Sequence, residues 1–163
     1  MSELQAIVED HLSKIEEDYQ QVAELAKKSA VLQQQQVKEL EETSITLLPV
    51  MRFIKDNGFR FIDNQNGTYN NLGPVLNYNP ETNSQFIFIV DQSTPAVLDL
   101  TSQQMTIISY EQLLQRVNYK TVITNLLRTL TYHQELKKIF EANIEKLENE
   151  LKEFKGMEEN NQP

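Results

Sequence analysis

VEDHLSKIEEDYQQVAELA, residues 8–26, is the stretch whose reading decides the fold. Val8, Leu12, Ile15, Tyr19, Val22 and Ala26 recur at alternating spacings of four and three. That rhythm lays one apolar stripe along a helix, as in the a/d seam of a coiled coil. No glycine or proline interrupts residues 1–48, and Ser2 followed by Gln5 fits a capping box. One long helix over residues 1–48 is predicted. After Ala26 the rhythm slips by four and resumes at Ala30, Val37, Leu40 and Leu47, a shift that locally unwinds a coiled coil. Gln33 sits in the shifted seam, within the run Gln33 to Gln36.

The other end of the chain mirrors this. Residues 96–155 also lack glycine and proline. Asn118 is placed to cap a helix running to Lys155, with Gly156 just past its end. Ile123, Leu126, Leu130, Leu136, Ile139, Phe140, Ile144, Leu147, Leu151 and Phe154 form its stripe, regular from Phe140 onward. Two helices of about 40 residues would each be roughly 60 Å long.

Between them the punctuation is dense. Pro49, Gly58, Gly67, Gly73, Pro74, Pro80 and Pro95 cut the middle into short pieces. Val50 to Asp56 reads as a short helix stopped by Asn57-Gly58. Phe59 to Ile62, Val75 to Tyr78, Gln85 to Val90, Ala96 to Leu100 and Met105 to Ile108 read as strands. The run Gln85-Phe-Ile-Phe-Ile-Val90 is continuous, the mark of a strand covered on both faces. Short connections favour an antiparallel meander. Ser109 with Gln112 forms a second capping box, opening a helix from Tyr110 to Val117.

The expected fold is therefore α+β: a long antiparallel coiled-coil helical hairpin with a small, mostly antiparallel β-sheet domain inserted. The expected divisions are a first helix over 1–48, a β-rich head over 49–117, a second long helix over 118–156 and a disordered tail over 157–163. This order of helix, β hairpins and helix resembles the layout of prefoldin subunits. The resemblance lies in architecture alone, implies a chaperone stalk that grasps unfolded clients, and assigns no residue.

Composition narrows the function classes. The chain has 163 residues, 24 acidic against 15 basic, a net charge of −9 and no cysteine. Ten of the acids and only four bases fall in residues 1–43. Such a balance opposes phosphate binding, which rests on Lys and Arg. No disulfide framework or thiol chemistry is available. No secretory signal is read at the N-terminus and no span reaches the roughly 20 apolar residues a bilayer needs, so a cytoplasmic location without membrane contact is expected.

Catalytic patterns are wanting. His11 and His133 have no metal-ligand spacing around them. Asp91 and Asp99 stand at strand ends, where aspartate also serves turns. Catalytic, cofactor and metal sites are all expected to be absent. The expectation is a non-enzymatic interaction module, a coiled-coil scaffold or adaptor that dimerises and binds a further protein. Its seam would be Leu12, Ile15, Tyr19, Val22, Ile144, Leu147 and Leu151. Glu16, Glu17 and Asp18 on the acidic helix, with Tyr69 and Tyr78 as exposed aromatic anchors, are the candidate partner contacts. An alternative use of the same acidic helix is inhibition of a nucleic-acid-binding or enzymatic partner by mimicry of phosphate spacing, as small proteins of phage and mobile elements do.

Overall fold

The structure, a computed structural model, describes residues 2–63 and 65–161. It divides into two units, residues 1–43 and 44–163. The first unit is helical throughout its described residues, and its helix, α1, spans Ser2–Asp56. The break expected at Pro49 does not occur. Pro49 lies inside the helix on its exposed side, where water can serve the carbonyl of Ile45 that proline leaves without an N–H partner. On the opposite side Leu40, Ser44, Leu47, Met51 and Ile54 are all buried. Their spacings continue the four-and-three rhythm, so packing of this stripe holds the helix through the proline.

The second unit carries the sheets. Strands β1 (Phe61–Ile62) and β2 (Tyr69–Asn70) pair antiparallel as a two-stranded ribbon. Strands β3 (Val75–Asn79), β4 (Ser84–Ile89), β5 (Thr94–Asp99) and β6 (Met105–Ile107) form the expected antiparallel meander in sequential order. Every residue from Gln85 to Val90 is buried, so β4 is covered on both faces. Val75, Ile87, Ile89 and Ala96 form one core cluster, with Leu72 and Leu98 packed against it.

Three hairpin loops repeat at ten-residue intervals. Each ends in a residue of positive φ: Asn83 at 51°, Ser93 at 51° and Gln103 at 61°. Side chains brace two of these loops. The Glu81 amide donates to Asn79 Oδ1, and the Thr101 and Ser102 amides donate to Asp99 Oδ1.

The capping box at Ser109 and Gln112 is present and opens α2 (Tyr110–Arg116). Asn118 caps a helix as expected, its Oδ1 accepting from the Lys120 amide at 2.8 Å. That helix, α3 (Tyr119–Leu127), is short. A 3-10 turn over Arg128–Thr131 separates it from α4 (Tyr132–Asn160). The single helix expected over 118–155 is thus two. Thr129 and Thr131 donate their hydroxyls to the carbonyls of Leu126 and Arg128, three residues back, competing with the α-helical ladder. At the far end α4 continues through Gly156 to Asn160, so the expected tail is helical up to that point. Its last two residues, 162 and 163, lie outside the described residues.

Candidate interaction surfaces

The N-terminal part of α1 presents a bare stripe. Val8, Leu12, Ile15, Tyr19 and Val22 are 48–73% exposed, and Leu4, Leu25 and Leu32 are exposed with them. The apolar stripe that is buried from Leu40 onward is exposed nearer the N-terminus. On α4, Phe140, Ile144, Leu147, Leu151 and Phe154 form a second exposed line. Large contiguous apolar patches of this kind mark interaction sites on proteins. Each set lies on one face of its own helix, and both sets are exposed within the chain.

The acidic candidates separate. At 100° per residue Glu16 and Asp18 flank the Leu12–Ile15–Tyr19 line, while Glu17 lies on the opposite side of the helix. The aromatic candidates separate too. Tyr69 on β2 is exposed, with the Arg60 guanidinium 4.4 Å from its ring centre, a cation–π arrangement. Tyr78 does not have the exposed position expected of it. It is half-buried on β3, and its hydroxyl donates to Asn83 Oδ1 at 2.9 Å, bracing the β3–β4 hairpin.

The loop between β1 and β3 is built from side-chain turns. Asp63 Oδ1 accepts from the Gln65 amide, Asn66 Oδ1 from the Thr68 amide, and Asn70 Oδ1 from the amides of Leu72 and Gly73. Gln85, fully buried on β4, donates from Nε2 to Thr68 Oγ1 and so ties this loop to the sheet.

The residues weighed for chemistry have structural employment. Asp91 pairs with Lys55 and fastens the last turn of α1 to the β4–β5 hairpin. Asp99 accepts the backbone N–H groups of Ser102 and Thr101, which hold its carboxyl below the usual range. His11 Nδ1 lies 3.1 Å from the Ile7 carbonyl one turn back, and His133 is exposed on α4. Among the described residues, no cluster of three or more His, Cys, Asp or Glu is placed to hold a metal.

One small cavity of about 20 Å³ lies between Phe61, Pro74, Asn125, Arg128, Tyr132 and Glu135. It has room for a single water. Arg128 bridges its rim, 3.3 Å from Glu135 Oε2 and 3.4 Å from Asn125 Oδ1. The Tyr132 ring stacks on Phe61 with centroids 5.9 Å apart, while its hydroxyl is buried without a hydrogen-bond partner. Burial, with the nearby Glu135 carboxylate acting in the same direction, pushes that hydroxyl's pKa up to about 12.

Other exposed apolar groups lie away from the two seam lines. Ile45 and Phe53 stand on α1 off the buried four-and-three line. Met105 and Ile107 stand on the edge strand β6, Leu127 at the end of α3 and Leu130 in the 3-10 turn after it. Leu127 lies outside the C-terminal stripe, a visible signal of exposure. The exposed side of β6 carries no comparable sequence mark.

No family model matches the chain, and no match was found among curated proteins or among solved structures. The likeness to prefoldin thus rests on element order alone.

Proposed function

We propose that this chain is a non-enzymatic protein–protein interaction module, a coiled-coil adaptor that self-associates through α4 and presents the β head. The observation that carries this reading is the pair of long helices with regular, uncovered apolar seams. On α4 the spacing places Ile144 and Leu151 at a and Phe140, Leu147 and Phe154 at d, and its Ile144–Leu147 heptad has the pairing that favours two parallel strands. In that arrangement Glu150 at g faces Lys155 at e of the second copy, an attractive pair. A dimer would cover Phe140, Ile144, Leu147, Leu151 and Phe154 in one seam. Cytoplasmic residence fits this role, and no helix among the described residues is long and apolar enough to cross a membrane.

Light scattering tests it directly. The wild-type chain is expected at twice 19.0 kDa at micromolar concentration, and Leu147→Asp at 19.0 kDa with the head still folded. An unpaired carboxylate in a closed apolar seam costs several kcal/mol, on the order of 3–5. A wild-type chain that stays at 19.0 kDa overturns the reading.

A further inference from the structure

The bare half of α1 differs from α4 in what borders its seam. With Leu12 and Tyr19 at a, and Val8, Ile15 and Val22 at d, Glu9 and Glu16 take e and Asp18 takes g. No Lys or Arg occupies an e or g position from Leu4 to Leu25. Among the described residues, Glu9, Glu16 and Asp18 enter no ion pair, whereas the outward-facing Asp10 is held by Lys14 at 3.0 Å. An exposed apolar line is thus bordered by the unpaired carboxylates of Glu9 and Glu16 on one side and of Asp18 on the other, where His11 is the remaining polar g residue.

The chain's own long helices do not complement that border. A second copy of α1 brings the same acids. α4 borders its seam with Glu141 and Glu148 at e and Glu150 at g, with Lys155 as the one base at these positions; Lys137 and Lys146, outside them, pair with Glu141 and Glu150. Charges at e and g choose coiled-coil partners by repelling like and attracting unlike neighbours. We infer that α1, over Leu4–Leu25, docks an amphipathic helix of another protein that is apolar at a and d and carries Lys or Arg at e and g. The site spans three heptads, about 30 Å of helix. This inference rests on the interaction-module reading and adds the chemistry of the partner. Of the three acids read as candidate contacts, it keeps Glu16 and Asp18 and releases Glu17.

The test uses the full chain and three synthetic peptides, each about four heptads long. One has Leu or Ile at a and d with Lys at e and g. The second replaces Lys by Glu, and the third keeps Lys but has Ser at a and d. Calorimetric titration is expected to show the first binding at least about tenfold tighter than the second. The third is expected to show no saturable binding. Raising the salt concentration narrows the gap between the first two, because exposed charges are screened. The combined change Glu9→Gln, Glu16→Gln and Asp18→Asn erases the advantage, and Glu17→Gln leaves it. Equal affinity for the Lys- and Glu-bordered peptides overturns the inference, as does absence of binding. Equal binding of the Ser peptide also overturns it, showing charge attraction alone, the behaviour of a phosphate mimic. Light scattering on the free chain reports separately on self-association. A dimer that ignores all three peptides refutes only this inference, whereas a monomer that ignores them refutes the module reading as well.

Discussion

Tyr132 shows how a single buried group sets a pH limit. Its ring stacks on Phe61, but its hydroxyl has no hydrogen-bond partner, and burial raises its pKa to about 12. In the unfolded chain tyrosine ionises near pH 10. The folded state prefers the protonated form, so its stability is full below pH 10 and falls as the pH rises from 10 toward 12. Tyr132→Phe keeps the stack and removes the orphan hydroxyl. It is expected to raise stability at pH 7 by about 1 kcal/mol and to flatten that alkaline decline. Denaturant melts at pH 7 and pH 11 check both; an unchanged alkaline slope would place its cause elsewhere. Gly73 is constrained in a different way. A Cβ there would stand 1.6 Å from the Phe88 carbonyl oxygen, where the Leu72 and Pro74 carbonyls already accept from the amides of Val90 and Phe88. Gly73→Ala therefore forces the backbone of the central strand aside and is expected to cost about 3 kcal/mol, read as a lowered denaturant midpoint.

At the scale of elements, α1 is a helix held by different means along its length. From Leu40 to Ile54 it is fixed by burial, strongly enough to carry Pro49. A proline in a helix interior costs about 3 kcal/mol relative to alanine, less where the freed carbonyl meets water. Pro49→Ala is expected to stabilise the second unit by about 1–3 kcal/mol with no change in the buried face, measurable by thermal melting. A destabilised variant would mean that Pro49 shapes the packing of Leu47 and Met51. The break between α3 and α4 shows the converse. There, two threonine hydroxyls interrupt a segment with neither glycine nor proline. The stripe hinted at it, since Leu130 and Leu136 are six residues apart, a gap that the spacing of three or four on one helix face does not leave.

For the molecule as a whole, the exposed seams tie secondary structure to assembly. Helices in water owe most of their stability to packing of an apolar face. The faces of α1 before Leu40 and of α4 after Phe140 lack that packing within one chain. Helical ellipticity and melting temperature are therefore expected to rise with protein concentration, by linkage to association. Circular dichroism over a roughly hundredfold concentration range measures this. Concentration-independent curves would show that the helices stand without partners.

The sequence by itself determined the broad order of helix, sheet and helix, the meander, both caps after the sheet and the apolar stripe on each long helix. These follow from local rules: periodicity, strand alternation and side-chain acceptors for free amides. Burial of β4 on both faces was legible in its unbroken apolar run, because a strand with one wet face alternates. Only the tertiary structure decided that α1 passes through Pro49, since a buried stripe outweighs a local breaker. It also turned Tyr78 from a surface anchor into a hairpin brace, because Asn83, five residues on, takes up its hydroxyl. Gln85 was placed inside a strand by its neighbours, but its role in holding Thr68 depends on a loop folding back across the sheet. Pattern along a chain fixes which face is apolar; what covers that face is a matter of distance in space, which the chain order does not contain.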